Sequence, residues 1–190
     1  MKNKLILTSK IILLPIICAV IIYFFKIYID FQFIVTFGIL IILFNKNKTK
    51  HKLNLSFIYS IILSFLVLII SMGVGNIIYI IKDELFINLL PNDYLKRFHI
   101  IPKSIVSPLL MFYSYKLLFK IENTNYFRVI KWTSVFLLII LGFTNLFFVN
   151  EYLFILWQFI MALALQLILY EKEIFELINR KNTAYNNGYK

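Results

Sequence analysis

The chain has 190 residues, 61% of them hydrophobic and only 15% charged, with a mean hydropathy of +0.84. A water-soluble domain carries about 25% charged residues, so this composition excludes one, and six helical crossings of ~20 residues each leave no length for a second domain. The net charge of +11 would suggest nucleic acid in a soluble protein, but these cations lie between apolar runs, where they set membrane orientation; nucleic acid is excluded as a partner.

The first apolar run, 5–25, follows Lys2 and Lys4 and contains Lys10. No small-x-small cleavage site follows, so the run reads as an uncleaved first helix. It contains Cys18, the single cysteine, which excludes an intrachain disulfide and reads as a buried, inert thiol. The second run, 27–44, is the shortest and carries Asp30 and Gln32 near its start. A lysine-rich connection, 46–52, leads to the third run, 57–81. There Ser56, Ser60, Ser64, Ser71 and Gly75 recur at helical spacing, a small-residue stripe that lets a second helix approach closely.

The outer connection, 82–99, holds the turn signal Pro91-Asn92-Asp93 and then Tyr94, Leu95 and Phe98 on one helical face. That pattern predicts a helix lying on the outer interface. Three further runs follow, 100–119, 132–150 and 152–170, with Trp132, Tyr152 and Tyr170 at their ends, where amphipathic rings favour the headgroup region. Segment 171–181 is expected to prolong the last helix, and 182–190 to be a disordered cytoplasmic tail. The expected architecture is an all-α, polytopic membrane helix bundle of six transmembrane helices over 1–181, with both termini inside.

Orientation rests on where the cations fall. With the amino terminus in the cytoplasm, the outside keeps only Lys26, Lys82, Lys96, Arg97 and Lys103 of the chain's 20 basic residues. These are balanced by Asp30, Asp83, Glu84, Asp93 and Glu151. The excess of basic residues is then inside, as the positive-inside rule requires for a protein of the cytoplasmic, or inner, membrane.

Little catalytic chemistry is available. The two histidines, His51 inside and His99 outside, leave no zinc-protease pair, and a buried Ser-His-Asp triad would need His99 to fold back into the bundle. No phosphate-binding loop or dinucleotide turn is present. Gly73-Val74-Gly75-Asn76 resembles the Gly-x-Gly-Asp motif of intramembrane aspartyl proteases over four residues, but Asn76 stands where the carboxyl would be. Asp83-Glu84 resembles the paired glutamates of prenyl-protease-like membrane proteins, whose following arginine is replaced by Asn88. Lys103 and Ser107 are four residues apart, a spacing that on an α-helix would pair a nucleophile with a lysine base. Lys103 can instead snorkel to water.

The remaining polar residues concentrate towards the outer surface. Asn76, Lys103, Ser107, Asn145 and Gln158 come from four spans yet lie within roughly 10 Å of one surface at ~1.5 Å per residue. They form the expected ligand-binding set, able to orient a neutral or mildly anionic small solute without transforming it, and needing no cofactor or metal. Six spans in 190 residues with an outer polar set resemble, in architecture, the substrate-binding subunits of energy-coupling-factor vitamin transporters. The early small-residue docking motif of those subunits is absent from a first span of Ile, Leu and Phe. Two alternatives stand beside a solute-binding or transport component. One is an accessory subunit that contacts partner membrane proteins through the small-residue stripe. The other is an intramembrane enzyme acting on lipid or peptide at the outer face through Asp83, Glu84, His99, Lys103 or Glu151.

Overall fold

In hydrocarbon a backbone must satisfy its own hydrogen bonds, and long runs of Ile, Leu and Phe do so as helix. The computed structural model describes residues 2–25, 30–81, 101–144 and 150–187. Among them are seven α-helices: α1 (Lys2–Phe25), α2 (Asp30–Phe44), α3 (Leu53–Ile81), α4 (Ser107–Leu118), α5 (Asn125–Thr144), α6 (Asn150–Leu169) and α7 (Glu171–Asn187). A 3-10 turn, Lys46–Lys48, precedes α3, and a π-helical turn, Pro102–Val106, leads into α4. The interface helix expected within 82–99 lies outside the described residues.

Among the described residues three helices are long and apolar enough to cross a membrane: Lys4–Phe24, Leu53–Ile81 and Asn125–Phe143. A fourth crossing is available if the bent pair Ile155–Leu169 and Glu171–Asn179 forms one span, and Val35–Phe44 is a shorter apolar helix. Large apolar side chains such as Ile58, Ile62, Phe65, Ile69 and Ile77 point outward from α3, as they would towards lipid.

The helices contact one another in chain order, α1 with α2, α2 with α3 and so on to α6, and α6 returns to α1. Each contributes one buried stripe at helical spacing. On α1 it is Leu14, Cys18 and Ile22; on α2, Phe37, Gly38, Ile41 and Ile42; on α3, Ser56, Ser60, Ser64 and Val67; on α4, Met111, Tyr115 and Leu118. α6 differs, being enclosed on nearly all sides from Trp157 to Leu169. An apolar helix surrounded in this way belongs to the core of the bundle.

The basic end of the bundle is tied together through its connections. Lys50 N donates to Leu118 O at 2.9 Å, and Lys120 N to Lys48 O at 3.3 Å, joining the α2–α3 and α4–α5 connections. Lys172 Nζ reaches Glu122 at 2.7 Å, and the Thr124 hydroxyl reaches Glu171 at 2.9 Å, so α7 is held against the same place. The Glu122 carboxylate keeps the Lys172 ammonium above its ordinary pKa.

Two boundaries differ from the sequence reading. α5 begins at Asn125, well before position 132, because the Thr124 hydroxyl accepts the Phe127 N–H at 2.9 Å and caps the helix. Lys131 is thereby drawn into the helix and buried. Segment 171–181 is helical, but it leaves α6 at an angle of 61° and the helix runs on to Asn187. At the bend, Lys48 Nζ binds the Leu169 carbonyl and the Glu173 carboxylate and sits 4.1 Å from the centre of the Tyr170 ring. A cation at the carboxyl end of α6 and the acids Glu171 and Glu173 in the first turn of α7 both complement the helix dipoles that meet there.

Candidate polar site in the helix bundle

Gly38 on α2 faces the small-residue stripe of α3. A Cβ there would overlap the Ser60 hydroxyl and stand 3.3 Å from Ser64 Oγ and 3.4 Å from the Tyr115 hydroxyl. Only the missing side chain lets α2 lie this close to α3. Ser60 and Tyr115 are hydrogen-bonded through their hydroxyls, so three helices share one small polar cluster.

Aromatic rings close the bundle beside it. Phe37 meets Tyr115 and Trp157 edge-on, with centroids 5.9 Å and 6.1 Å apart. Such geometry places the positive edge of one ring on the face of another. Trp157 Nε1 donates to the Lys103 carbonyl at 3.0 Å, tying α6 to the π turn.

The π turn changes which side chains share a face. Ser107 N donates to Pro102 O, five residues back rather than four, so residues four apart no longer align. Ser107 and Ser104 are buried while Lys103 is exposed. The turn packs against α3 at Gly75, where a Cβ would stand in ordinary van der Waals contact with the Pro102 ring at 3.5 Å.

Of the five expected ligand residues, Ser107 and Gln158 lie inside the bundle, Asn76 and Lys103 are exposed, and Asn145 is outside the described residues. Of the small-residue stripe, Ser56, Ser60 and Ser64 are buried and Ser71 and Gly75 are half-buried. The partner of this stripe is α2 together with α4 of the same chain.

Gln166 is not among the five expected ligand residues. It is 1% exposed, and among the described residues neither its amide nitrogen nor its amide oxygen has a hydrogen-bond partner. Gln158, 0% exposed, lies eight residues earlier on the same helix, about 12 Å along its axis. α6 therefore carries two enclosed amides through an apolar core. Amides and hydroxyls can donate and accept hydrogen bonds but cannot exchange a proton near neutrality. His51 is exposed, edge-on to Tyr59 at 5.1 Å, and among the described residues no three His, Cys, Asp or Glu side chains group as metal ligands. No known protein family, characterised protein or solved structure matches the chain.

Proposed function

We propose that the chain is a six-span protein of the cytoplasmic membrane, with both termini inside, that binds or conducts a small polar solute along α6. The observation that carries this reading is Gln166. An amide with both atoms unpaired in an apolar interior costs about 1–3 kcal/mol relative to a satisfied one. A polar guest in contact with it would recover that cost. Gln158 extends the line of amides towards the outer side, where Ser104 and Ser107 are also buried. The chemistry suits a neutral solute with both donors and acceptors, and binding without transformation.

The accessory-subunit reading is weakened by the small-residue stripe, much of which is covered by α2 and α4 within the chain. The enzyme reading loses the Lys103–Ser107 pair to the π turn. Its other candidates, Asp83, Glu84, His99 and the Glu151 side chain, lie outside the described residues.

The test is direct. Protein purified in mild detergent should release a polar small molecule on denaturation, detectable by mass spectrometry at close to one per chain, and Gln158→Leu protein should release much less. Protein that stays folded yet releases no such molecule, in both forms, overturns the reading.

A further inference from the structure

Lys131 is only 7% exposed, and it is the buried cation that the early start of α5 creates. Its ammonium sits between aromatic rings, 4.9 Å from the Trp132 centroid, 5.3 Å from Tyr113 and 5.8 Å from Phe127. Among the described residues it meets no carboxylate and no carbonyl. The acids nearest in sequence at this end are engaged elsewhere, Glu122 by Lys172 and Glu171 by Thr124. Lys116 on the neighbouring helix is tied to Asn123 Oδ1 at 2.7 Å. Ring faces stabilise a cation by about 0.5–2 kcal/mol, which does not replace an anionic partner.

The position of the cage points to its partner. Tyr113 on α4 and Trp132 on α5 are more than half exposed, so both rings beside the ammonium reach the outer surface of the bundle. Lys131 is about 9 Å along α5 from Asn125, and its stem can carry the ammonium back towards the end of the helix. The interfacial layer of a bilayer is ~5–8 Å thick on each side, so the ammonium falls where lipid phosphates and ester groups are found. The Tyr113 hydroxyl and the Trp132 indole N–H are donors suited to the same groups. We propose that this aromatic cage binds the phosphate of an anionic phospholipid from the leaflet at the basic end, with Lys131 as its counter-charge and Tyr113 and Trp132 beside it.

The experiment uses the full chain in nanodiscs made of equal parts phosphatidylglycerol and phosphatidylcholine with matched acyl chains. Lipids that stay bound after transfer to detergent are counted by native mass spectrometry. Wild-type protein should retain phosphatidylglycerol over phosphatidylcholine by about tenfold, the value of one charge-assisted contact. Lys131→Gln should bring the ratio near parity, Lys131→Arg should keep most of it, and Arg128→Gln, at an exposed cation on the same helix, should leave it nearly unchanged. Should Lys131→Gln fail to fold, Tyr113→Ala and Trp132→Ala serve instead, and each should lower the ratio while the cation remains. Equal retention of the two lipids by wild-type protein, or a preference that survives Lys131→Gln, overturns the site. Displacement of the lipid by millimolar inorganic phosphate overturns the lipid assignment in favour of a free anion.

Discussion

Gly38 and Ser60 stand so close that a methyl group on the first would overlap the hydroxyl of the second. Two helices of one chain meet there through a hydrogen atom and a hydroxyl, and the same hydroxyl is bonded to Tyr115. Gly38→Val should therefore force α2 from α3 or break the Ser60–Tyr115 bond, lowering stability in detergent by about 1–3 kcal/mol. Ser60→Ala, which removes only the hydroxyl, should cost about 1 kcal/mol. Thermal unfolding of the two variants beside wild type checks the order; a silent Gly38→Val would mean that α2 and α3 are not in contact.

Lys48 holds the bend between α6 and α7. Its side chain is about one-quarter exposed and that of Glu173 less than half, so the ion pair alone is worth no more than ~1 kcal/mol. The contact to the Leu169 carbonyl adds a charge-assisted hydrogen bond. Lys48→Met should leave the bundle folded but loosen α7, seen as faster amide exchange or proteolysis within 171–187 and little change in the unfolding midpoint. Exchange in α7 that matches wild type would show that the angle is set by α6 and α7 alone.

Much of the helical architecture was legible because it depends on residue count and period. Apolar runs near 20 residues mark helices, and the serines of α3 mark its inner face before any partner is known. What was not legible depends on contacts distant in sequence. The 61° bend needs Lys48, and the role of Trp157 needs the carbonyl of Lys103. The candidate site shows the same division. Depth along a helix can be counted, and it grouped Asn76 with Gln158. Azimuth decides whether a residue faces in or out, and Asn76 is about 100° around α3 from Gly75, on the exposed side. The Lys103–Ser107 pair failed because four-residue spacing presumes an α-helix, and the chain makes a π turn there. The early start of α5 was within reach, since Thr124 before Asn125 is a capping signal.

Topology can be tested by labelling. Cys18 is buried, and in a Cys18→Ser background single cysteines at Thr49, Thr124 and Asn186 should be protected from an impermeant thiol reagent in intact cells. A cysteine at Asn92 should react. Thr49 and Thr124 belong to connections that the structure joins at one end of the bundle, so they must behave alike. Opposite labelling of these two positions would contradict the fold itself, whereas labelling of both from outside would invert the orientation.

Gln166 gives the sharpest test of the solute reading, because stability and binding should move in opposite directions. Among the described residues neither atom of its enclosed amide has a partner, so replacing it by leucine, of similar volume, removes a desolvation penalty of about 1–3 kcal/mol. Gln166→Leu protein stripped of small molecules should therefore unfold at the same temperature as stripped wild type, or higher. Wild type carrying its solute should exceed both, since a ligand that binds only the folded state stabilises it by mass action, and the variant should lose that increment. A structural role predicts the reverse: if the amide holds helices together, Gln166→Leu should unfold several degrees earlier in every preparation and the solute increment should be absent from wild type as well. Thermal unfolding of both proteins, before and after extensive detergent washing, separates the two outcomes.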